Sequence, residues 1–213
     1  LTTTGKIGTI FDSKTMGSRA GGGVRAGSSS IYGGEYRGVE SITHIQDPKV
    51  YKETVQAISR FYAVMGSVER NIKLADMKDG VYGAGAKGGV FLNKKYYNKS
   101  YKDFVKSLTH QENSGWFAKT NKAGMHATTH ELAHALWSSD DKTPKARAAG
   151  KEIKATYKVF KKAGLGRAYS RGYGDYAFQN VDERWAETVT KAIHGKPDKY
   201  TNALKTIVKK YKL

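Results

Sequence analysis

A chain of 213 residues and 23.5 kDa, 38% hydrophobic and 26% charged, has room for one large domain or two small ones around a sizeable core. No apolar run approaches the roughly 18 to 20 residues of a membrane span, so no membrane-spanning helix is expected. The absence of cysteine excludes a disulfide framework, a thiol nucleophile and thiolate-bound metal, which leaves only His, Asp and Glu to hold a metal ion.

The 37 Lys and Arg against 19 Asp and Glu give a net charge of +18, which suits non-specific contact with nucleic acid or acidic surfaces. The sequence opens at Leu1 with no basic-then-apolar leader pattern, as a piece of a longer protein would, and its compartment stays unread.

From Leu1 to about Gln46, Gly and Ser crowd the chain, as in Gly21-Gly22-Gly23 and Ser28-Ser29-Ser30. Residues 1–46 therefore read as an irregular lead segment or linker, ahead of a domain over 47–213. Asp47-Pro48 reads as an N-cap followed by Pro at the first helical position. Val50, Thr54, Val55, Ile58, Phe61, Tyr62 and Met65 then recur at helical spacing, which predicts a helix over about 49–65.

Between Asn71 and Asn93, three short apolar groups are separated by Gly-rich turns: Ile72 and Leu74, Val81 and Tyr82, and Val90 to Leu92. They predict two or three short strands, the last, over 88–93, at a sheet edge. A short helix is expected over about 100–107 and another from near Ala123. Pro144 and Pro197 mark the starts of helices to Lys162 and Tyr211, and one more carries Val181 to Ile193. The expected fold class is α+β, a small mixed sheet over a bundle of at least four helices.

The chemistry concentrates in Thr129-His130-Glu131-Leu132-Ala133-His134, a His-Glu-x-x-His motif in a helix-friendly stretch. Residues four apart share one helix face, so His130 and His134 can bring two imidazoles to one zinc ion. Glu131 beside them is placed to take a proton from an activated water and pass it to a leaving amine. His126 extends the same stripe, but it lies about 12 Å from His134 along the axis, too far for one ion to take all three. The places where a metzincin needs Gly and a third His hold Trp137 and Asp140, which excludes that subclass.

A third ligand must come from elsewhere, and Asn180-Val181-Asp182-Glu183-Arg184-Trp185-Ala186-Glu187 offers two carboxylates four apart on a predicted helix. One can bind the metal while the other hydrogen-bonds a ligand imidazole.

These two blocks resemble the catalytic domain of anthrax lethal factor and the related Pro-Pro endopeptidases, compact glutamate-zincins. The resemblance extends loosely from about Asn71 to the C-terminus. It implies a zincin fold and one Zn²⁺ per chain, held by His130, His134 and Glu183, with Glu131 as general base and Glu187 supporting from behind. It also implies that Tyr176, seven residues before Glu183, stabilises the developing oxyanion; Tyr173 competes for that role. Trp137 and Arg184-Trp185 depart from the family pattern without removing a ligand. A looser similarity links Gly89 to Asn93, Gly115-Trp116 and the metal helix to C-terminal regions of tailed-phage minor head proteins.

The main functional expectation is a zinc endopeptidase acting on protein or peptide substrates, with Gly89, Val90 and Phe91 as the strand that holds an extended peptide by edge addition. The alternative is a basic phage structural or nucleic-acid-binding module with a structural or inactive metal site; a toxin-like effector protease shares the main reading's chemistry. The Gly-rich lead then serves as pro-segment, linker or cleft-filling strand.

Overall fold

The computed structural model describes residues 37–65, 71–86, 89–137, 144–162 and 172–211. Its architecture is α+β, a small mixed sheet packed against helices. The expected lead segment lies outside the described residues up to position 36.

From residue 37 the chain joins the domain. Strand β1 (Arg37–Ser41) pairs antiparallel with β2 (Ile72–Asp76), and the 3-10 turn Ile42–His44 drops Ile42 into the core at 0% exposure. Helix α1 (Pro48–Met65) starts where expected because Asp47 accepts the backbone N–H of Lys49 at 2.8 Å. The second carboxylate oxygen of Asp47 accepts the N–H of Tyr101 at 2.7 Å and so ties two helix starts together. Val50, Ala57, Ile58, Phe61 and Met65 form the buried stripe of α1.

The sheet runs β1-β2-β4-β3, with β3 at Gly83–Ala86 and β4 at Gly89–Asn93. β4 pairs parallel with β2 on one side and antiparallel with β3 on the other. The strand expected at the edge is thus an inner one: Val90 and Phe91 have ladder partners in both β2 and β3, and Gly89 pairs with Ala86 of β3, which corrects their assignment as the peptide-holding edge. Val90 and Leu92 are buried core residues, which is what their apolar character served. The edge beside the functional helix is β3. The sequence places a strand at Val81 and Tyr82, but the strand begins just beyond them, at glycines whose lack of side chains the helix requires. A Cβ on Gly83 would lie 2.7 Å from Glu131 Cγ.

After the short helix α2 (Lys94–Tyr97), helix α3 (Tyr101–Asn113) is capped by Ser100 and runs six residues beyond the expected end at Ser107. A 3-10 turn, Ala123–Met125, leads into α4 (His126–Trp137). Helices α5 (Pro144–Lys162), α6 (Val181–His194) and α7 (Lys199–Tyr211) complete the bundle. In α7, Asp198 rather than Pro197 marks the start, its carboxylate accepting the N–H groups of Tyr200 and Thr201.

Helices α4 and α6 pack along their length and run antiparallel, His126 meeting Glu187 at one end while His134 meets Glu183 at the other. Polar bonds reinforce the seam: Trp185 Nε1–H donates to the Ala133 carbonyl at 2.8 Å, and Thr129 Oγ1 pairs with His194 Nε2 at 2.7 Å. Among the described residues no helix is long and apolar enough to cross a membrane.

Candidate metal centre

His130 and His134 project from one face of α4 toward α6. Their Nε2 atoms lie 3.0 Å apart, and each is 3.0 Å from Glu183 Oε2. Glu183 is placed by its helix start: Asn180 caps α6 by accepting the N–H groups of Asp182 and Glu183, both at 2.9 Å, which puts the Glu183 carboxylate on the first turn. Three ligand atoms thus converge from residues up to 53 positions apart. Around one ion with bonds of about 2.0 to 2.1 Å, tetrahedral ligand atoms stand about 3.3 Å apart, so this triangle needs only slight opening to accept one.

A second triangle, His126, His130 and Glu187, also brings potential ligand atoms together, within 4.8 Å of one another. It is chemically less open. His126 is fully buried, and its Nδ1 and Nε2 already face Glu112 Oε1 and Glu187 Oε1, each at 3.1 Å. An ion there would have to displace at least one of those bonds. The first triangle instead adjoins a cleft of about 170 Å³ that reaches His130, Glu131 and Tyr176.

The charges around the first triangle favour a cation. Burial would push the Glu183 carboxyl up, but the two imidazoles against it win and hold it well below the usual carboxylate range. Burial opposes protonation of His130, yet the carboxylates of Glu183 and Glu187 raise its affinity for a proton well above the ordinary value. The cluster draws positive charge to the point where the three atoms meet. A divalent metal meets that demand with both imidazoles neutral, and the all-nitrogen-and-oxygen donor set suits zinc.

Glu187 stands behind His130. Its Oε1 lies 2.8 Å from His130 Nδ1, angled off the ring N–H direction, so the contact is more an electrostatic pairing than an aligned hydrogen bond. Its Oε2 accepts the N–H of Ala118 at 2.7 Å. This is where a carboxylate that orients a ligand imidazole belongs.

Glu131 is buried at 8% exposure beneath β3, and the N–H of Gly85 donates to its carboxylate. Burial raises its pKa above the ordinary value; His130 and His134 offset this only in part. A carboxylate so shifted is a better proton acceptor near neutrality.

Tyr176 lies in the 3-10 turn Asp175–Phe178 that leads into α6, with its ring stacked on that of His130 at 5.5 Å between centroids. Gly174, at φ 75°, allows that placement, since a Cβ there would meet the Trp116 carbonyl at 2.3 Å. The same carbonyl accepts the Tyr176 N–H at 2.9 Å. Tyr173 is engaged elsewhere: fully buried, it donates its hydroxyl to Asp198 at 2.7 Å, under Lys191.

The spacing sets His126 aside as a neighbour of the ligands or a surface residue, and the structure buries it completely; Glu112 is the residue that sequence reasoning missed. Glu112, on the unexpected extension of α3, is buried at 5% exposure and gives no spacing signal toward a histidine 14 positions away. Comparisons with protein-family models, with curated proteins and with solved structures find no match for this chain.

Proposed function

We propose that this chain is a zinc-dependent endopeptidase of the glutamate-zincin type. The observation that carries the reading is the convergence of His130 Nε2, His134 Nε2 and Glu183 Oε2 at 3.0 Å, with the Glu131 carboxylate beside them in a cleft. Zinc held by these three side chains would polarise a scissile carbonyl and acidify a water molecule.

Glu131, its carboxylate aimed by the Gly85 N–H and its proton affinity raised by burial, would serve as the base that takes a proton from an attacking water and passes it to the leaving amine. Tyr176, stacked on His130 at the cleft wall, offers its hydroxyl to the oxygen where negative charge develops. Glu187 keeps the His130 ring oriented. Edge strand β3 runs beside the cleft, with Gly83 in its lining, where an extended peptide can lie.

Metal analysis after dialysis, together with mass spectrometry of denatured casein incubated with the protein, tests this. One zinc per chain is expected, with new peptide termini that vanish on chelation and return with zinc. A metal-loaded protein that cleaves nothing would favour the second reading, a site that only braces the fold, for which the burial of His130 and Glu183 at 4% and 6% exposure speaks.

A further inference from the structure

Behind the proposed ligands a line of buried polar groups continues through His126 to Glu112. Glu112 Oε1 faces His126 Nδ1 at 3.1 Å, His126 Nε2 faces Glu187 Oε1 at 3.1 Å, and the same oxygen lies 2.8 Å from His130 Nδ1. His126 is 0% exposed, Glu187 0% and Glu112 5%. Glu112 is itself fixed, accepting the Thr120 hydroxyl at 2.6 Å and the Thr120 N–H at 3.3 Å. The His126 ring is clamped in the remaining direction by Phe117, stacked at 4.6 Å and 14°.

Donor and acceptor counting defines what this line does. Ionised carboxylates only accept, so an imidazole between two of them donates from both nitrogens. Its ring cannot turn without breaking two charge-assisted bonds in a buried setting. Glu187 is thereby held by two N–H donors, His126 on Oε1 and Ala118 on Oε2, and cannot swing away from His130. With Glu187 fixed, a proton on His130 Nδ1 is favoured and the Nε2 lone pair faces Glu183 and His134.

We propose that His126, anchored by Glu112, is a positioning residue that locks Glu187 and through it sets the orientation and tautomer of His130. The proposal rests on the zinc reading only in that His130 is a metal ligand. Neither His126 nor Glu112 belongs to the His130, His134 and Glu183 triangle or lines the cleft beside it.

Zinc affinity, measured by competition with a chromophoric chelator, and the visible spectrum of the Co²⁺-loaded protein are the readouts, for wild type, His126→Gln, Glu112→Gln, Glu187→Gln and the double variants. His126→Gln is expected to weaken zinc about 10- to 100-fold, the usual range for loss of an outer partner, and to shift the Co²⁺ bands. Its circular dichroism should match wild type. Glu112→Gln should cause a smaller loss in the same direction.

Because the residues act in series, His126→Gln with Glu112→Gln should bind zinc no more weakly than His126→Gln alone, and adding His126→Gln to Glu187→Gln should change little. Additive losses, or wild-type affinity and spectrum in both single variants, overturn the proposal. Should His126→Gln fail to fold, Glu112→Gln, nearly isosteric, and its cycle with Glu187→Gln decide the matter. Wild-type protein that takes up zinc and cleaves no peptide removes the peptidase reading but leaves the affinity comparison decisive. Wild-type protein that takes up no zinc overturns both.

Discussion

Gly85 is pressed directly against the Glu131 turn of α4: a Cβ on that glycine would come within 1.9 Å of the Glu131 carbonyl oxygen and 2.8 Å of His134 Cβ. The obstruction is helix backbone, which cannot turn aside as a side-chain tip can. Gly85→Ala must therefore push β3 off α4, at a cost of about 1 to 3 kcal/mol, and misalign Glu131. Gly80→Ala is the control, since nothing lies within 4 Å of its Cβ and only its φ of +82° is strained. Thermal melts and casein cleavage are expected to show loss of both stability and turnover for Gly85→Ala, and a modest stability loss alone for Gly80→Ala. Wild-type turnover in Gly85→Ala would contradict the close packing.

Glu131→Gln keeps the shape of the side chain and the hydrogen bond from Gly85 but cannot accept a proton. Zinc content is expected to stay at one per chain while turnover falls by at least about 10²- to 10⁴-fold. Metal analysis and peptide assays on one preparation check it. Equal cleavage by the variant would remove Glu131 from the mechanism.

The two tyrosines should separate cleanly. Tyr176→Phe is expected to lower kcat by about 10²-fold with zinc affinity unchanged, as loss of one oxyanion donor does. Tyr173→Phe instead leaves Asp198 short of a hydrogen bond at the start of α7, which should cost about 1 to 2 kcal/mol in urea titrations and leave kcat alone. The reverse pattern would move the oxyanion role to Tyr173.

His194 gives the fold an acid-side sensitivity of its own. Burial, then the positive charges of Arg60, His126 and Lys122, lower its pKa from 6.5 to about 3, and its buried Nδ1 has no hydrogen-bond partner among the described residues to receive a proton's charge. The unfolded chain binds this proton below pH 6.5 and the folded chain does not until about pH 3. The stabilisation is therefore complete above pH 6.5 and declines as pH falls toward 3, by up to about 1.4 kcal/mol per unit. Urea titrations from pH 7 to pH 4.5 with chelator present should show a shallower decline for His194→Gln than for wild type. Parallel declines would assign the sensitivity to other groups.

The helices were legible because their starts carry local chemistry: Asp47, Ser100 and Asn180 each cap through a short side chain, and Pro144 opens α5. The strands were less so. Gly83 and Gly85 look like turn residues, yet they lie in β3 because α4 presses on that strand, a tertiary demand that no propensity encodes. Val90 to Leu92 read correctly as a strand, but alternation and apolarity do not tell an inner strand from an edge one. β1 was hidden in glycine-rich sequence and forms through its pairing with β2.

At the site, the spacing of four residues brought out His130 with His134 and Glu183 with Glu187. Which glutamate faces the ion side and which stands behind depends on how α6 is rotated against α4. Glu112 was beyond reach for another reason: its partner lies on a different helix, and a buried acid in a polar stretch looks like any surface acid.

The seam of α4 and α6 has one more consequence. Apolar contacts let two helices slide against each other, whereas the bonds from Trp185 to Ala133 and from Thr129 to His194 fix the register between them. A slip of one turn, about 5.4 Å, would break both at once. Alignment of the donors is thus a property of the polypeptide and precedes any ion. Small zinc modules fold only as metal binds; on the zinc reading, capture by these three side chains would need no folding step and release would leave the helices in place. An ion held in this way would be exchangeable, its loading following the free concentration outside.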